Sequence, residues 1–236
     1  NRRYKPCFKV MEIDDSNKVF KKAAELVLDE HKSVYLTGKA GTGKTTFLKY
    51  IKKKCKRKMV VLAPTGIAAI NANGQTIHSF FNLNFGPLLL EDEQYHPDTL
   101  KENFKFSKAK RDLIDEMQVL VIDEISMVRV DVLDMIDRIL RVYRNNSIMP
   151  FGGVQVVLIG DIFQLPPIVS DDLKPILSPY YKSPFFFSSN VYQELSPLYI
   201  ELDKIYRQKD LIFVKLLNLI RLNQLSERAF KHLNSR

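Results

Sequence analysis

The chain has 236 residues, of which 45% are hydrophobic, and its 36 Lys and Arg against 27 Asp and Glu give a formal net charge of +9. A chain of this size builds one principal domain, since domains usually hold about 100 to 200 residues. The positive excess favours a polyanionic partner, with nucleic acid as the leading candidate. No run reaches the roughly 18 apolar residues of a membrane span, and no apolar signal stretch opens the chain, so we expect an intracellular protein without a membrane partner.

Cysteine and histidine usage argues against a metal centre. Cys7 and Cys55 lie far apart and have no histidine at ligand spacing, so neither a disulfide framework nor a zinc site is supported. We expect two free thiols, and the four scattered histidines do not form a site.

The first predicted strand, Ser33 to Leu36, leads into the glycine-rich sequence Gly-Lys-Ala-Gly-Thr-Gly-Lys-Thr at 38–45 and then into a helix. This order is typical of a P-loop, whose glycines let backbone NH groups close on phosphate oxygens at the positive end of the helix dipole. Lys44 is expected to reach the outer phosphates, and the Thr45 hydroxyl to ligate Mg²⁺. The predicted nucleotide-binding residues are Gly38, Ala40, Gly41, Thr42, Gly43, Lys44, Thr45 and Thr46.

Further apolar runs predict buried strands of a parallel sheet, with segments of helical spacing between them. These runs are Met59 to Ala63, Val119 to Ile122, Val154 to Ile159 and Leu198 to Leu202. The alternation predicts an α/β fold with a parallel sheet and helices on both faces.

One amphipathic helix is predicted over Val132 to Tyr143, with Asp131 as its candidate cap. Its second face carries two pairs at i,i+4 spacing, Asp134 with Arg138 and Asp137 with Arg141. A basic amphipathic helix is also predicted over Leu211 to Leu222. By contrast, Asn82 to Lys110 lacks clean periodicity and is expected to be a long insertion rather than a core element.

Each of four predicted strands is followed at once by polar residues, which in a parallel sheet meet at the carboxyl edge. Asp123, directly after Val-Ile, is expected to hold Mg²⁺ through water, and Glu124 to act as the general base on the attacking water. Gln164 could orient that water or sense the terminal phosphate, and Arg207 could supply a second cation. Simpler interpretations stay open: an acidic pair at a strand end, a loop amide and a solvated arginine.

The order of these motifs resembles the PIF family of DNA helicases, in the five-prime to three-prime branch of superfamily one that also holds RecD-like enzymes. The resemblance rests on 38–45, on Ala-Pro-Thr-Gly-Ile-Ala-Ala at 63–69 with Thr-Ile-His-Ser-Phe at 76–80, and on Asp-Glu-Ile-Ser-Met at 123–127. Phe-Gly-Gly-Val-Gln at 151–155, the run 160–167 and Tyr-Arg-Gln at 206–208 complete it.

The resemblance implies two RecA-like domains that clamp ATP and move along single-stranded DNA, with forked duplex DNA as a further partner. It implies that Lys44, Glu124, Gln164 and Arg207 are catalytic and that Thr45 and Asp123 hold Mg²⁺. Thr65, Asn71, His78 and Phe80 correspond to motifs lining the DNA path, although His78 and Phe80 also fit a buried polar and aromatic corner.

The implied domains are a RecA-like domain at 1–81 and 111–203, a small wedge insertion at 82–110 and the start of a second RecA-like domain at 204–236. Two departures stand out. No glutamine precedes Gln75, and Lys21 occupies the place of the family's adenine-reading glutamine. The later motifs of the second domain are also missing, so we expect a fragment that unwinds DNA weakly or not at all.

Two other functions stay open at this point. A small-molecule kinase or non-helicase NTPase would need an arginine-rich lid, which the sequence does not offer, and a non-catalytic nucleic-acid module would tolerate a decayed P-loop. The sequence leaves the preferred DNA structure, the oligomeric state and the compartment open between bacterial cytoplasm, nucleus and mitochondrion.

Overall fold

The computed structural model describes residues 17–206, together with Leu216, Leu219, Ile220, Gln224 and Ser226. Six parallel strands form one sheet in the order β3-β2-β4-β5-β1-β6. They are β1 (Val34–Gly38), β2 (Met59–Ala63), β3 (Gln75–Thr76), β4 (Val119–Ile122), β5 (Gln155–Ile159) and β6 (Leu198–Leu202). The predicted α/β class and all five predicted strands are confirmed.

Nine α-helices lie within 17–206 and pack around this sheet. They are α1 (Lys18–Leu28), α2 (Lys44–Lys54), α3 (Gly66–Asn71), α4 (Ile77–Phe81), α5 (Pro97–Asn103), α6 (Lys108–Glu116), α7 (Val130–Tyr143), α8 (Lys174–Leu177) and α9 (Asn190–Leu195). In the part of the chain that the structure describes, none of these helices is long and apolar enough to cross a bilayer.

The central strands are continuous apolar runs because both faces of the sheet are covered. Alternate residues of β4 enter two different cores: Leu120 and Ile122 pack with α7 on one side, and Val119 and Val121 pack with α1 and α2 on the other. The predicted arrangement with helices on both faces is therefore confirmed, and the sheet holds its carboxyl edge rigidly.

Helix α7 corrects two predictions. Asp131 is not its cap, because Arg129 occupies the N-cap position and Asp131 lies in the first helical turn, fully buried against Arg129 and the Leu88 amide. The predicted pair of Asp134 with Arg138 is wrong, because Asp134 accepts hydrogen bonds from the amides of Asn190 and Val191 at the start of α9, while Arg138 donates to the Tyr95 carbonyl. The predicted pair of Asp137 with Arg141 is present, with Nε to Oδ2 at 2.8 Å.

The segment 82–110 also differs from expectation, because it contributes to the core. Two of its helical pieces, α5 and the start of α6, lie beside α7. Its buried side chains in the main core are Leu83, Leu88, Tyr95, Leu100, Phe104 and Phe106. The segment has no regular hydrophobic periodicity, so no amphipathic stripe attaches it to the core. It packs there through these separate apolar side chains, whose burial is favourable.

The Phe-Gly-Gly sequence is structural in this chain. Phe151 and Gly152 both have positive φ, and the Phe151 amide donates to Asp137. A Cβ at Gly152 would lie 2.7 Å from the Leu140 carbonyl oxygen, so only glycine fits against the end of α7. The motif that helped to suggest the family therefore fastens the α7–β5 connection.

Candidate active site

The loop between β1 and α2 has the backbone of a phosphate cradle. Gly41 and Gly43 have φ of 82° and 102°, in the region that favours glycine, and Gly43 is the N-cap of α2. A Cβ at Gly38 would lie 2.6 Å from both the Leu202 carbonyl oxygen and Thr42 Oγ1. The loop therefore depends on glycine for conformation at two positions and for space at a third.

Polar contacts inside the loop fix its shape. The Thr42 side chain is buried and its hydroxyl donates to the Lys39 carbonyl at 2.8 Å. Lys44 donates from Nζ to the Gly38 carbonyl at 2.6 Å and to the Lys39 carbonyl at 3.3 Å. The lysine thus lies over the loop at the start of α2, where its positive charge and the helix dipole would both stabilise a bound anion.

Asp123 and Glu124 follow β4 directly, so the carboxyl edge brings them towards the P-loop. Burial and the neighbouring Glu124 charge raise the pKa of Asp123 to about 6, while the Glu124 amide and the Lys44 ammonium act in the opposite direction. Because β1 and β4 both pair in parallel with β5, Lys44 after β1 and Asp123 after β4 lie at the same carboxyl edge. Glu124 has φ 51°, a left-handed conformation that turns the chain sharply away from the strand.

The loop after β5 lies between these two elements, because β5 separates β4 from β1 in the sheet. A Cβ at Gly160 would lie 2.8 Å from Ile125 Cγ2 and 3.0 Å from the Ile125 amide nitrogen, so the β4 and β5 loops are in direct contact. Gln164 Nε2 donates to Asp161 Oδ2 at 3.4 Å. The buried Asp161 therefore orients the glutamine at this edge.

The end of the continuously described chain closes the other side of the loop. The Tyr206 amide donates to the Gly41 carbonyl at 2.9 Å, and Asn17 Nδ2 donates to the Tyr206 hydroxyl at 2.9 Å. Arg207 lies outside the described residues, as does all of the predicted helix 211–222 except Leu216, Leu219 and Ile220. Tyr206 and Asn17 are site neighbours that sequence reasoning missed, because no local pattern links residues so far apart in the chain.

The predicted nucleic-acid residues follow β2 and β3 at the same edge. Thr65 is the N-cap of α3 and accepts from the Ala68 amide at 3.2 Å, while Asn71 is exposed at the end of that helix. His78 is half-buried in α4, where its ring stacks on Phe85 with centroids 4.7 Å apart.

Phe80 requires a correction. Its side chain is only 1% exposed, packs edge-on against Phe81 and has the Lys110 ammonium 3.7 Å from its ring centroid. A ring covered in this way cannot stack on a nucleobase. The period of α4 explains the error, since Phe80 and His78 lie two residues apart and face different directions on the helix.

A model of the PIF1-like helicase family matches residues 12–221. The chain belongs to the PIF1-like helicase family. It is 36% identical over 224 residues to the ATP-dependent DNA helicase PIF1 of Emericella nidulans, an alignment that covers 91% of this chain and 28% of that protein. The predicted resemblance to PIF helicases is thereby confirmed.

Solved structures of PIF1 relatives share the fold. A structure of two coordinating Pif1 helicases, described for DNA unwinding at forked double-stranded DNA, has a TM-score of 0.83 at 44% identity and covers 92% of this chain and 50% of that one. Pif1 from Bacteroides in complex with ADP-AlF3 and single-stranded DNA has a TM-score of 0.80 at 44% identity, with 91% and 48% covered. The chain therefore spans about half the length of the solved relatives.

Proposed function

We propose that this chain is the ATP-binding half of a DNA helicase motor that couples ATP hydrolysis to five-prime to three-prime translocation on single-stranded DNA and to unwinding of forked duplexes. The carrying observation is the glycine loop at the N-terminus of α2, which follows β1 and lies at the same carboxyl edge of the sheet as Asp123 and Glu124, which follow β4. The proposal includes a RecA-like body at 1–81 and 111–203, a wedge at 82–110 and the start of a second RecA-like domain from 204.

The residues of the loop suit a triphosphate. Positive φ at Gly41 and Gly43 turns the backbone into a concave loop at the N-terminus of α2, where the helix dipole and a lysine favour phosphate. In the proposal, Gly38, Ala40, Gly41, Thr42, Gly43, Lys44, Thr45 and Thr46 surround the phosphates of ATP. The lack of an adenine-reading glutamine leaves base selectivity to other groups.

The acidic pair suits Mg²⁺. Burial and the neighbouring Glu124 charge raise the pKa of Asp123, and a bound cation would favour its ionised form. Mg²⁺ usually keeps several waters and is bound through one or two carboxylates together with substrate phosphates, which matches a site at the end of β4 beside the phosphate loop. Asp123 and Thr45 are the residues that would hold it, and its chemistry there is neutralisation of phosphate charge.

The remaining roles follow from position. Glu124 is proposed as the base that accepts the proton of the attacking water, and Gln164, oriented by Asp161, as the group that senses the terminal phosphate. Arg207 is proposed as the second cation. Thr65, Asn71 and His78 are proposed as DNA contacts, and the cellular location follows that of genomic DNA: bacterial cytoplasm, or nucleus and mitochondrion in a eukaryote.

ATP hydrolysis with and without oligo(dT), measured on the complete protein that carries both RecA-like domains, tests the proposal. We expect measurable turnover that rises with single-stranded DNA, and loss of nucleotide binding in Lys44→Ala. Lys49→Ala is the matched control, because it removes a lysine from the same helix one turn further from the loop. Hydrolysis indifferent to DNA would favour a non-helicase NTPase, and DNA binding without any nucleotide affinity would indicate a non-catalytic module.

A further inference from the structure

Phe85 is 83% exposed, although Leu83 and Leu88 on either side of it in the chain are buried. One face of its ring lies flat on the imidazole of His78, with an interplanar angle of 15°. Leu88, three residues later, is completely buried in the main core. The informative feature is the pairing of this exposed ring with a flat aromatic neighbour, which leaves one face of Phe85 free to stack on a planar group.

A buried ion pair fixes the backbone beneath this ring. Arg129 donates from Nη2 to the Gly86 carbonyl at 2.6 Å and from Nη1 to the Phe85 carbonyl at 3.5 Å. The same guanidinium binds both carboxylate oxygens of Asp131, at 2.5 and 2.7 Å, and Asp131 accepts from the Leu88 amide at 2.9 Å. The orientation of Phe85 is therefore set before any partner arrives.

The stack of His78 and Phe85 is uncharged, and it lies at the carboxyl edge of the sheet. Burial and the Arg129 charge lower the pKa of His78, so its ring is neutral at pH 7. His78 belongs to α4, which begins directly after the carboxyl end of β3, and Thr65 caps the helix after the neighbouring strand β2. The open face of Phe85 thus lies on the side of the sheet that carries the proposed DNA residues.

We propose that Phe85, backed by His78, is a stacking platform for an unpaired nucleobase, and that Arg129 and Asp131 are the residues that position it. This inference rests on the proposed single-stranded DNA binding and assigns to Phe85 the role that burial denies to Phe80. Every base has an aromatic face, so the platform favours single strands without reading their sequence.

The affinity for a fluorescent oligo(dT), measured by anisotropy, tests the platform. Phe85→Ala is expected to weaken binding by about 5- to 150-fold, the range for one lost stack, and Phe85→Leu nearly as much, whereas Phe85→Trp keeps the affinity. Ile148→Ala is the matched control, because Ile148 is 82% exposed in the turn after the far end of α7. It should leave the affinity unchanged.

A 2-aminopurine placed along the oligonucleotide supplies a second readout, since stacking on Phe85 quenches it and Phe85→Ala restores its emission. As a single variant, Asp131→Asn should weaken DNA binding. When it is combined with Phe85→Ala, it should lower the affinity little further, because a positioning residue acts through the Phe85 ring. If the wild type bound DNA and Phe85→Ala bound it with equal affinity, the stacking platform would be rejected while the proposed function would stand. Failure of wild type to bind DNA would reject the proposed function as well.

Discussion

The aspartates on α7 and the aspartate at the carboxyl end of β4 have different surroundings. On α7, Asp131, Asp134 and Asp137 each accept a hydrogen bond from a backbone amide of another segment, at Leu88, Asn190 and Phe151 respectively. At the end of β4, Asp123 accepts from the amide of its own neighbour Glu124 and has a pKa raised to about 6. The α7 aspartates therefore join their helix to other segments, whereas Asp123 lies at the carboxyl edge of the sheet, where we propose that Mg²⁺ binds.

The largest expected effect lies beside Asp123. Glu124→Gln should keep nucleotide binding but lower ATP turnover by about 100- to 10,000-fold, the usual contribution of a positioned general base. Steady-state hydrolysis and binding of a fluorescent nucleotide separate the two properties. Glu102→Gln, an exposed acid on α5, is the control. Undiminished hydrolysis by Glu124→Gln would remove the residue from its proposed role.

On α7 the same chemical change should affect stability. Asp131→Asn leaves the buried Arg129 guanidinium without its carboxylate, and breaking such a pair costs about 3 to 5 kcal/mol. Urea unfolding at pH 7 measures the loss. Asp171→Asn, which breaks the exposed pair with Lys174, should leave the unfolding midpoint where it is. If the two variants unfolded at the same urea concentration, the buried pair of Arg129 and Asp131 would not stabilise the fold as proposed.

At Asp123, unlike at Asp131, replacing the aspartate by asparagine is expected to raise the free energy of unfolding. The raised pKa means that the wild type loses stability as the pH rises from about 4 through about 6, because a desolvated carboxyl must then ionise. Asp123→Asn does not titrate, so without nucleotide it should be more stable than wild type by about 2 kcal/mol at pH 8, with little difference at pH 4. Urea unfolding at both pH values checks this. An equal gain at both would show that ionisation is not the cause.

The smallest effect concerns the contact between the β4 and β5 loops. Gly160→Ala would press a Cβ against Ile125, with an expected loss of about 1 to 3 kcal/mol in the free energy of unfolding. It should also reduce turnover, because Ile125 follows Glu124. Gly66→Ala is the matched control for stability, since a Cβ there meets nothing within 4 Å. Similar unfolding of both variants would mean that the two loops adjust independently.

Much of this architecture was predictable because it is local. Continuous apolar runs identified five of the six strands, and glycine spacing identified the P-loop, since both depend on residues close together in the chain. The sixth strand, β3, has only two residues and gave no such signal. The different burial of Phe80 and His78 was not predicted either, because the sequence Thr-Ile-His-Ser-Phe does not show which face of α4 is buried.

The sequence by itself determined the parallel α/β order, the phosphate loop and the arrival of polar residues at one edge, because strand and helix periods are properties of consecutive residues. Only the tertiary structure decided which aspartates of α7 are fastenings, that 82–110 enters the core and that Phe85 rather than Phe80 is exposed. Those outcomes depend on contacts between residues more than forty positions apart, such as Leu88 with Asp131 and Asn190 with Asp134. No spacing rule within one segment encodes such pairs.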